Sequence, residues 1–298
     1  AFVEIEIDNK KIKAPRSPLC NIVYSTPELS NQESKKGRLN RCSFDLRKIK
    51  IADFSMGWAG PLATRILADF GAEVIKIEAG RYPDWWRAVD WSEEAIASKQ
   101  YEESRRFAAL NRGKKSISLD LKTTEGVRLA QELTSKVDIV IENQAAGVMD
   151  KLGLGWNLIS NINKNVIMIT MSAFGHGNNL SDTRAYGSTL EHASGTPSFR
   201  GDPGWSPMMA HIAYGDPIGG IYGAASMLAS LYARRKLGKG LNVNLSMVEC
   251  MLPFAASALL NYGLTKNEPK RIQNRHSTMV PHGIFRCDNV QSYVAIAI

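Results

Sequence analysis

The sequence has little of what marks secreted, membrane-spanning or metal-binding chains. Its 298 residues include only four cysteines, none in a Cys-x-x-Cys pair, which predicts free thiols in a cytosolic protein. A run of about 18 apolar residues, the length of a membrane span, does not occur. The opening residues AFVEIEID lack the basic and then apolar pattern of a signal peptide. The sequence also contains no His-Glu-x-x-His motif, so no metal site is expected.

Common phosphate-binding and hydrolytic motifs are missing as well. There is no Walker loop, no Gly-x-Ser-x-Gly elbow, and no Gly-x-Gly-x-x-Gly after the first predicted strand. The formal net charge is +8, which favours a polyanionic partner, either nucleic acid or a phosphate-bearing small molecule. Because the basic residues are dispersed and no aromatic-basic RNA motif occurs, the small molecule is preferred and no nucleic-acid partner is expected.

What is present is a regular alternation of short apolar runs and amphipathic segments. After a strand with antiparallel alternation at residues 2–7 and a polar linker at 25–41, this alternation predicts an α/β fold. We expect a Rossmann-like, open, mostly parallel sheet with flanking helices. The predicted strands are 49–54, 72–77, 116–121, 138–142 and 166–171, and the predicted helices are 62–70, 124–135 and 218–236.

Residues 56–78 are the most informative segment. A Gly60-Pro61 turn is predicted to open a helix that closes at Gly71, with a strand ending on Glu78 at the edge where open α/β sheets hold ligands. The stretch AGPLATRILADFGAEVIKIE resembles the signature of the class III CoA-transferases, a family that includes formyl-CoA and carnitine CoA-transferases and the related α-methylacyl-CoA racemases. The resemblance extends over residues 46–298.

This resemblance also implies a domain organisation. Residues 1–45 are similar to the closing segment of another copy of the same domain, followed by a linker. Residues 46–250 correspond to the large CoA-binding domain. Residues 251–298 correspond to a connecting helix and the start of an incomplete small domain. We therefore expect a fragment of a tandem protein, and the family's interlocked architecture implies a homodimer or a tandem pseudo-dimer.

Asp216, in the segment AYGDPIGG, is the candidate catalytic residue. From the residues alone it is a helix N-cap in extended conformation, with Pro217 as the first helical residue. A carboxylate flanked by glycines is equally open to a thioester. Class III CoA-transferases carry their nucleophilic aspartate in a similar Gly-Asp element, so the resemblance favours catalysis.

The implied chemistry is covalent catalysis by a carboxylate. Asp216 attacks an acyl-CoA to give a mixed anhydride and CoA thiolate; the thiolate or the acceptor acid then attacks in turn, with an aspartyl-CoA thioester on the way. We expect a dry site and an oxyanion stabilised by the backbone N–H groups of Gly219 and Gly220. Coenzyme A and acyl-CoA are expected as substrates, with no permanently bound cofactor.

The resemblance also implies which residues bind CoA, through basic side chains for its phosphates and apolar ones for its adenine. Lys76 and Glu78 are expected to line the same crevice. The matching positions are Trp58 and Ala59 in the first turn, Leu119 and Lys122 in NRGKKSISLDLK, Asn143, Lys151 and Leu152 in ENQAAGVMDKLG, and Arg184.

The sequence departs from the family pattern at two places. Trp58 stands where formyl-CoA transferases have glutamine, which leaves acceptor specificity open. Tyr186-Gly187 stands where racemases have His-Asp, and without that histidine one of the two bases for proton exchange is missing, so a racemase is disfavoured. Three further features have two interpretations each. Trp85-Trp86 could cover a ligand crevice or contact a partner subunit, and Glu191-His192 could form a polar helix face or contact the substrate. His211 could be a structural residue or part of the site.

The sequence therefore predicts a CoA-transferase that moves CoA from an acyl-CoA donor to a small carboxylic acid. One alternative is a CoA-transferase/lyase of the dimethylsulfoniopropionate type. A second is a catalytically silent CoA-binding half of a tandem protein. A third is an NAD-dependent oxidoreductase in which Glu78 binds the ribose, which the missing glycine motif disfavours.

Overall fold

The computed structural model describes residues 2–7, 10–15, 45–210, 213–288 and 291–298. The chain falls into two compact units, Ala1–Asp45 and Leu46–Ile298. In the first unit, β1 (Phe2–Ile7) pairs antiparallel with β2 (Lys10–Pro15), which confirms the antiparallel strand predicted at residues 2–7. The predicted linker and Cys20 and Cys42 lie outside the described residues.

A six-stranded sheet organises the second unit. Its neighbouring strands all pair in parallel, and their spatial order is β5-β4-β3-β6-β7-β8. The chain order reverses between β3 and β6, which is the point where open α/β sheets form a ligand crevice at the carboxyl ends of their strands. The strands are β3 (Lys50–Asp53), β4 (Glu73–Glu78), β5 (Lys115–Ser118), β6 (Ile139–Glu142), β7 (Ile167–Thr170) and β8 (Leu241–Asn244).

Helices cover both faces of this sheet, so the predicted Rossmann-like α/β fold is confirmed. The central strands β6 and β7 are buried along their whole length, as expected for parallel strands packed on two sides. The helices are α1 (Ala59–Asp69), α2 (Glu93–Ala97), α3 (Arg105–Asn111), α4 (Thr124–Thr134), α5 (Val148–Lys151), α6 (Trp156–Ile162), α7 (Gly187–Ala193), α8 (Gly215–Leu237) and α9 (Ala256–Thr265).

Alternate residues of the strands build two separate apolar cores. On one face Ile139 and Ile141 pack with buried residues of α1 and α8. On the other face Val140 packs with Met149, from α5, and Ile159, from α6. The two helices that carry the most informative sequence motifs, α1 and α8, therefore share one face of the sheet.

The C-terminal ends of α1 and α8 lie at glycines, as predicted, but their N-terminal ends do not lie where proline predicted them. Gly71 adopts a left-handed conformation just after α1 (φ +100°), and Gly238 does so after α8 (φ +65°), where glycine carries no Cβ penalty. Both helices begin about one turn earlier than predicted. Pro61 is consequently the third residue of α1, still within the first turn, where its missing N–H costs no helical hydrogen bond.

The last part of the chain contains α9 and an antiparallel pair formed by β9 (His282–Arg286) and β10 (Tyr293–Ala297). None of the residues of α9 is buried. The domain boundaries predicted at 45 and 250, and the assignment of these segments to a small domain, stay predictions. Within the described residues, no helix combines the length and apolarity needed to cross a membrane, and Cys250 and Cys287 are free thiols.

Candidate active site

Residues 55–58, here called the entry loop, connect the carboxyl end of β3 to α1. Three consecutive residues of the loop are held through their backbone by side chains from other elements. The Lys76 ammonium group donates to the Ser55 carbonyl at 2.7 Å, and the Asn143 amide exchanges two hydrogen bonds of 2.8 Å with the backbone of Met56. The Gly57 N–H donates to the carboxylate of Asp84 at 3.0 Å. Asn143, a predicted CoA-binding residue, thus fixes the loop that precedes Trp58.

A buried charge cluster lies beneath this loop. Asp53, at the end of β3, accepts hydrogen bonds from Ser55 and Thr64 and pairs with Lys114 at 3.0 Å. Burial opposes the ionisation of Asp53, but the ammonium groups of Lys114 and Lys76 and the two hydroxyl donors outweigh it and lower its pKa to about 2. The Asp53 carboxylate therefore stays ionised inside the fold because cations and hydroxyl donors surround it.

The expectation that Lys76 lines the crevice is wrong. Its side chain is 1% exposed and pairs with Asp84 at 3.1 Å, so it is not available for a phosphate. Glu78 does line a cavity, but its carboxylate is engaged by Arg87 in a bidentate pair of 2.8 and 2.9 Å. Desolvation opposes the ionisation of Glu78, yet its hydrogen bonds from Arg87 and the backbone lower its pKa.

Two adjoining cavities bring together part of the predicted CoA-binding set. The smaller, of about 160 Å³, lies at the carboxyl edge of β3, β4, β5 and β6 and is largely apolar, with Met56, Leu119, Lys122 and Leu152 in its wall. The larger, of about 760 Å³, opens beside the start of α4 and is lined by Lys122, Lys151 and Leu152 together with further polar residues. Leu121, Lys122 and Leu152 line both cavities, so the two share this wall.

Four predicted residues lie outside these walls, and one of them is Asn143, which holds the entry loop. Trp58 is half-buried at the start of α1 and meets the ring of Trp86 edge-on, with centroids 5.8 Å apart. Ala59 is fully buried. Arg184 is exposed on the segment between β7 and α7 and lines neither cavity.

Asp216 is the second residue of α8. The expected N-cap with an extended backbone is therefore wrong: Tyr214 holds the cap position and Pro217 is the third helical residue. The side chain of Asp216 instead accepts a hydrogen bond from the backbone N–H of Gly187, the first residue of α7. Burial raises the pKa of Asp216 to about 6 in spite of that hydrogen bond. A Cβ at Gly187 would collide with the Asp216 carboxylate, which explains why glycine stands there.

The expectation that Gly219 and Gly220 form an oxyanion hole is also wrong, because both lie inside α8 and serve helix packing. A Cβ at Gly219 would lie 2.8 Å from the methyl carbon of Met247, and one at Gly220 would lie 2.8 Å from the carbonyl oxygen of Ala59. The missing side chain of Gly220 lets α8 approach the first turn of α1 directly, while that of Gly219 makes room for Met247. Asp216 is therefore one helical turn from the contact with Ala59, the residue that follows Trp58.

Two buried acidic residues near this edge, Asp84 and Glu142, were not predicted as functional residues. Asp84, fully buried, links the entry loop to Lys76. Glu142, at the end of β6, is 3% exposed; burial raises its pKa to about 7 against the hydrogen bond from the Gln144 N–H. Asp84 is separated from Lys76 by a loop, so the spacing of the two residues in the sequence does not indicate the ion pair. Glu142 could have been identified, because a glutamate at the end of an apolar strand is a recognisable signal.

The three features with open interpretations have different outcomes. Glu191 is fully buried and pairs with Arg200, so it has a structural contact, whereas His192 is exposed with Nδ1 2.9 Å from the Ser188 carbonyl. Trp85 is exposed and Trp86 half-buried against Trp58, and His211 lies outside the described residues.

Comparison with known proteins places this geometry in context. Residues 46–298 match the family described as CoA-transferase family III. The chain is 32% identical over 240 residues to succinyl-CoA–D-citramalate CoA-transferase of Chloroflexus aurantiacus, covering 80% of the chain and 58% of that relative. It is 33% identical over 240 residues to acetyl-CoA:oxalate CoA-transferase of Acetobacter aceti (80% and 60%). It is 30% identical over 241 residues to human succinyl-CoA:glutarate CoA-transferase (81% and 54%).

Solved structures agree with the sequence relatives. A CaiB/BaiF family protein from Brucella suis superposes with a TM-score of 0.73 at 29% identity, covering 85% of this chain and 65% of that one. A hypothetical protein from Mycobacterium tuberculosis gives a TM-score of 0.69 at 26% identity, with 84% and 63% covered. The chain thus spans less than two thirds of the length of each of these relatives.

Proposed function

Because the chain belongs to CoA-transferase family III, we propose that it takes part in moving CoA from an acyl-CoA donor to a small carboxylic acid, with the carboxylate of Asp216 as nucleophile. The activities for which these relatives are named, with succinyl-CoA or acetyl-CoA as donor and citramalate, oxalate or glutarate as acceptor, make short dicarboxylic acids the first acceptors to test.

The position of Asp216 carries this proposal. Its carboxyl group is held by the Gly187 N–H at the first turn of α8, in a desolvated setting that suits a reacting carboxylate and an anhydride shielded from water. One turn further along, Gly220 brings α8 against Ala59. The nucleophile and the start of α1 are therefore neighbours in the fold, on the side of the sheet where the entry loop ends.

The two cavities supply matching chemistry for CoA. The smaller has an apolar wall that includes Leu119 and Leu152, which suits a flat base such as adenine. The larger carries the ammonium groups of Lys122 and Lys151, which suit phosphates. Lys122 also contacts Tyr82 through a 2.7 Å hydrogen bond to its hydroxyl, so its ammonium group is already oriented.

The proposed reaction conserves the thioester through four exchanges. The Asp216 carboxylate attacks the thioester carbonyl and the C–S bond breaks. CoA thiolate departs, and Asp216 and the donor acyl group are joined in a mixed anhydride. The thiolate then attacks the aspartyl carbonyl and releases the donor acid, leaving an aspartyl-CoA thioester. The acceptor carboxylate attacks this thioester and releases CoA thiolate again. Finally the thiolate attacks the acceptor's carbonyl in the new anhydride, which gives the product acyl-CoA and restores Asp216.

Trapping of the aspartyl intermediate tests this proposal. The intact protein is incubated with succinyl-CoA, acetyl-CoA or glutaryl-CoA, quenched with hydroxylamine, digested and analysed by mass spectrometry. We expect an aspartyl hydroxamate at Asp216 with at least one donor. The variant Asp216→Asn should give no hydroxamate. The control Asp182→Asn, which changes an exposed carboxylate on the segment between β7 and α7, should form the hydroxamate at Asp216 like the wild type.

The other functions considered for this chain would give different results. An olefinic product would indicate a transferase/lyase. Binding of CoA with no adduct from any donor would indicate a CoA-binding unit without catalysis and would contradict the role given to Asp216. Binding of a nicotinamide cofactor in place of CoA would indicate an oxidoreductase.

A further inference from the structure

The carboxylate of Asp84 joins three parts of the fold. Its Oδ2 accepts the Gly57 N–H at 3.0 Å and lies 3.1 Å from the ammonium nitrogen of Lys76 on β4. Its Oδ1 accepts the N–H of Trp86 at 3.0 Å. Asp84 is fully buried, so it holds protein groups and has no surface for a ligand.

Two of these parts carry indole rings that touch each other. Trp58, at the end of the entry loop, and Trp86 meet edge to face with an interplanar angle of 84°. Gly57 has φ +73°, and a Cβ on it would overlap the ring of Trp85, so the loop lies directly on this aromatic segment. The bonds to Gly57 and Trp86 set the distance between the two backbones, and with it the contact between the rings.

The entry loop also borders the proposed CoA site. Met56 lines the smaller cavity, and its backbone is held by Asn143 on one side while Gly57 is held by Asp84 on the other. A shift of the loop away from Asp84 would therefore change the cavity wall at Met56 and the placement of Trp58 together. Asp216, in contrast, is held by Gly187 and has no described contact with Asp84.

We propose that Asp84 is a positioning residue for CoA binding, which fixes Met56 and Trp58 by anchoring the entry loop to β4 and to Trp86. This role rests on the proposed function. Removing the Asp84 charge takes from the buried Lys76 ammonium group the carboxylate that pairs with it at 3.1 Å. It also deprives one of two backbone N–H groups of its acceptor, since a single amide oxygen replaces two carboxylate oxygens. The effect should fall on CoA affinity rather than on the chemistry at Asp216.

The test compares Asp84→Asn with a matched control, Asp138→Asn. Asp138 also accepts a backbone N–H, from Lys50 at 2.9 Å, and a cation, Arg234 at 2.8 Å, but at the amino ends of the strands. Isothermal titration with CoA should give a Kd at least about 10-fold higher for Asp84→Asn. The control should stay within about twofold of the wild type. At saturating acyl-CoA the rate of adduct formation at Asp216 should change less than about threefold in both variants.

A second variant keeps the test decisive if Asp84→Asn does not fold. The pair Asp84→Asn with Lys76→Met removes both buried charges and so avoids an uncompensated cation. Because it also loses the Lys76 hydrogen bond to the Ser55 carbonyl, its reference is Lys76→Met alone, compared with which it should still bind CoA more weakly. Unchanged CoA affinity in a folded Asp84 variant, or an equal loss in Asp138→Asn, overturns the positioning role alone. Failure of the wild type to bind CoA overturns the proposed function, and the role of Asp84 with it.

Discussion

The pKa of the Asp216 carboxyl group sets the pH range in which it can react. Burial raises this pKa to about 6, and only the ionised form is a nucleophile. The ionised fraction is therefore nearly complete at pH 8 and about half at pH 6, and it falls about tenfold per pH unit well below that. In the proposed reaction this burial makes Asp216 a better nucleophile than a solvent-exposed aspartate, because a poorly solvated carboxylate is less stabilised by water.

We accordingly predict that the rate of aspartyl adduct formation falls with decreasing pH, with a midpoint near pH 6. The measurement is a single-turnover trapping series from pH 4.5 to 8 at saturating acyl-CoA. The hydroxamate yield of a chemically prepared aspartyl thioester peptide serves as the control for the quench itself. A midpoint close to pH 4 would show that Asp216 ionises like an exposed carboxyl group.

At the scale of elements, the contact between α1 and α8 depends on glycines within α8. Gly220 faces Ala59 and Leu62, and Gly223 faces Ala63 and Met171. Glycine inside a helix costs roughly 0.5–1 kcal/mol relative to alanine, so these residues lower the intrinsic stability of α8. The close packing that they allow against α1 and β7 offsets this cost.

Replacement of Gly220 or Gly223 by alanine should therefore destabilise the fold, although alanine has the higher helix propensity. Gly220→Ala is expected to lower the free energy of unfolding by roughly 1–3 kcal/mol, because its Cβ would lie 2.8 Å from a backbone oxygen that cannot move away. Gly263→Ala in α9, where nothing lies within 4 Å of the added Cβ, should be neutral or stabilising. Chemical denaturation of both variants checks this, and equal destabilisation would show that the added methyl group at Gly220 is accommodated.

The same elements show what the sequence could predict. The alternation of apolar runs was sufficient for the order and approximate bounds of strands β3 to β7 and of helices α1, α4 and α8, because parallel strands are buried and continuous. It did not predict β8, an edge strand in which every second residue is exposed. It was insufficient for the start of α8. Gly219-Gly220 is typical of a turn, and Asp216 before proline is typical of a cap, but contact with α1 and the Gly187 N–H overrides both local preferences.

The buried ion pairs lay beyond prediction for a related reason. Lys76 alternates on β4 like a solvent-facing residue, and only the fold of the following loop brings Asp84 to it. The resemblance did group residues that the structure brings together: Leu119, Lys122 and Leu152 share one cavity wall, whereas Arg184 lies outside it. Their role in binding CoA stays a prediction. Sequence spacing alone contains no information about which of these side chains meet.

At the scale of the whole molecule, buried carboxyl groups shape the dependence of stability on pH. The pKa of Glu142 is raised from 4.5 to about 7 by burial, so between these values the folded chain holds a proton that the unfolded chain has released. Stability must therefore fall as the pH rises through this window. Asp53 acts in the opposite sense at low pH: its pKa is lowered from 3.8 to about 2, so its contribution is lost as the pH falls through that range.

We predict that Glu142→Gln removes the loss of stability between pH 4.5 and 7. The amide keeps an acceptor for the Gln144 N–H and carries no charge to bury. The gain above pH 7 should be on the order of 3 kcal/mol at most, from 1.36 kcal/mol per pKa unit, and close to zero at pH 4.5. Urea unfolding at pH 4.5, 6 and 8 measures this, with exposed Glu94→Gln as control. A gain that does not depend on pH would point to packing instead.

The glycine contact between α8 and α1 has a mechanical consequence. Because a backbone carbonyl of α1 contacts α8 with no side chain between them, this junction between the helix of the aspartate and the loop that ends in Trp58 contains no side chain that could be compressed. A change in the spacing of the two helices would have to break this contact. In the proposed reaction we therefore expect the thioester to reach Asp216 through rotation about the bonds of the pantetheine arm, so the rate of delivery should follow the flexibility of the substrate rather than that of the protein.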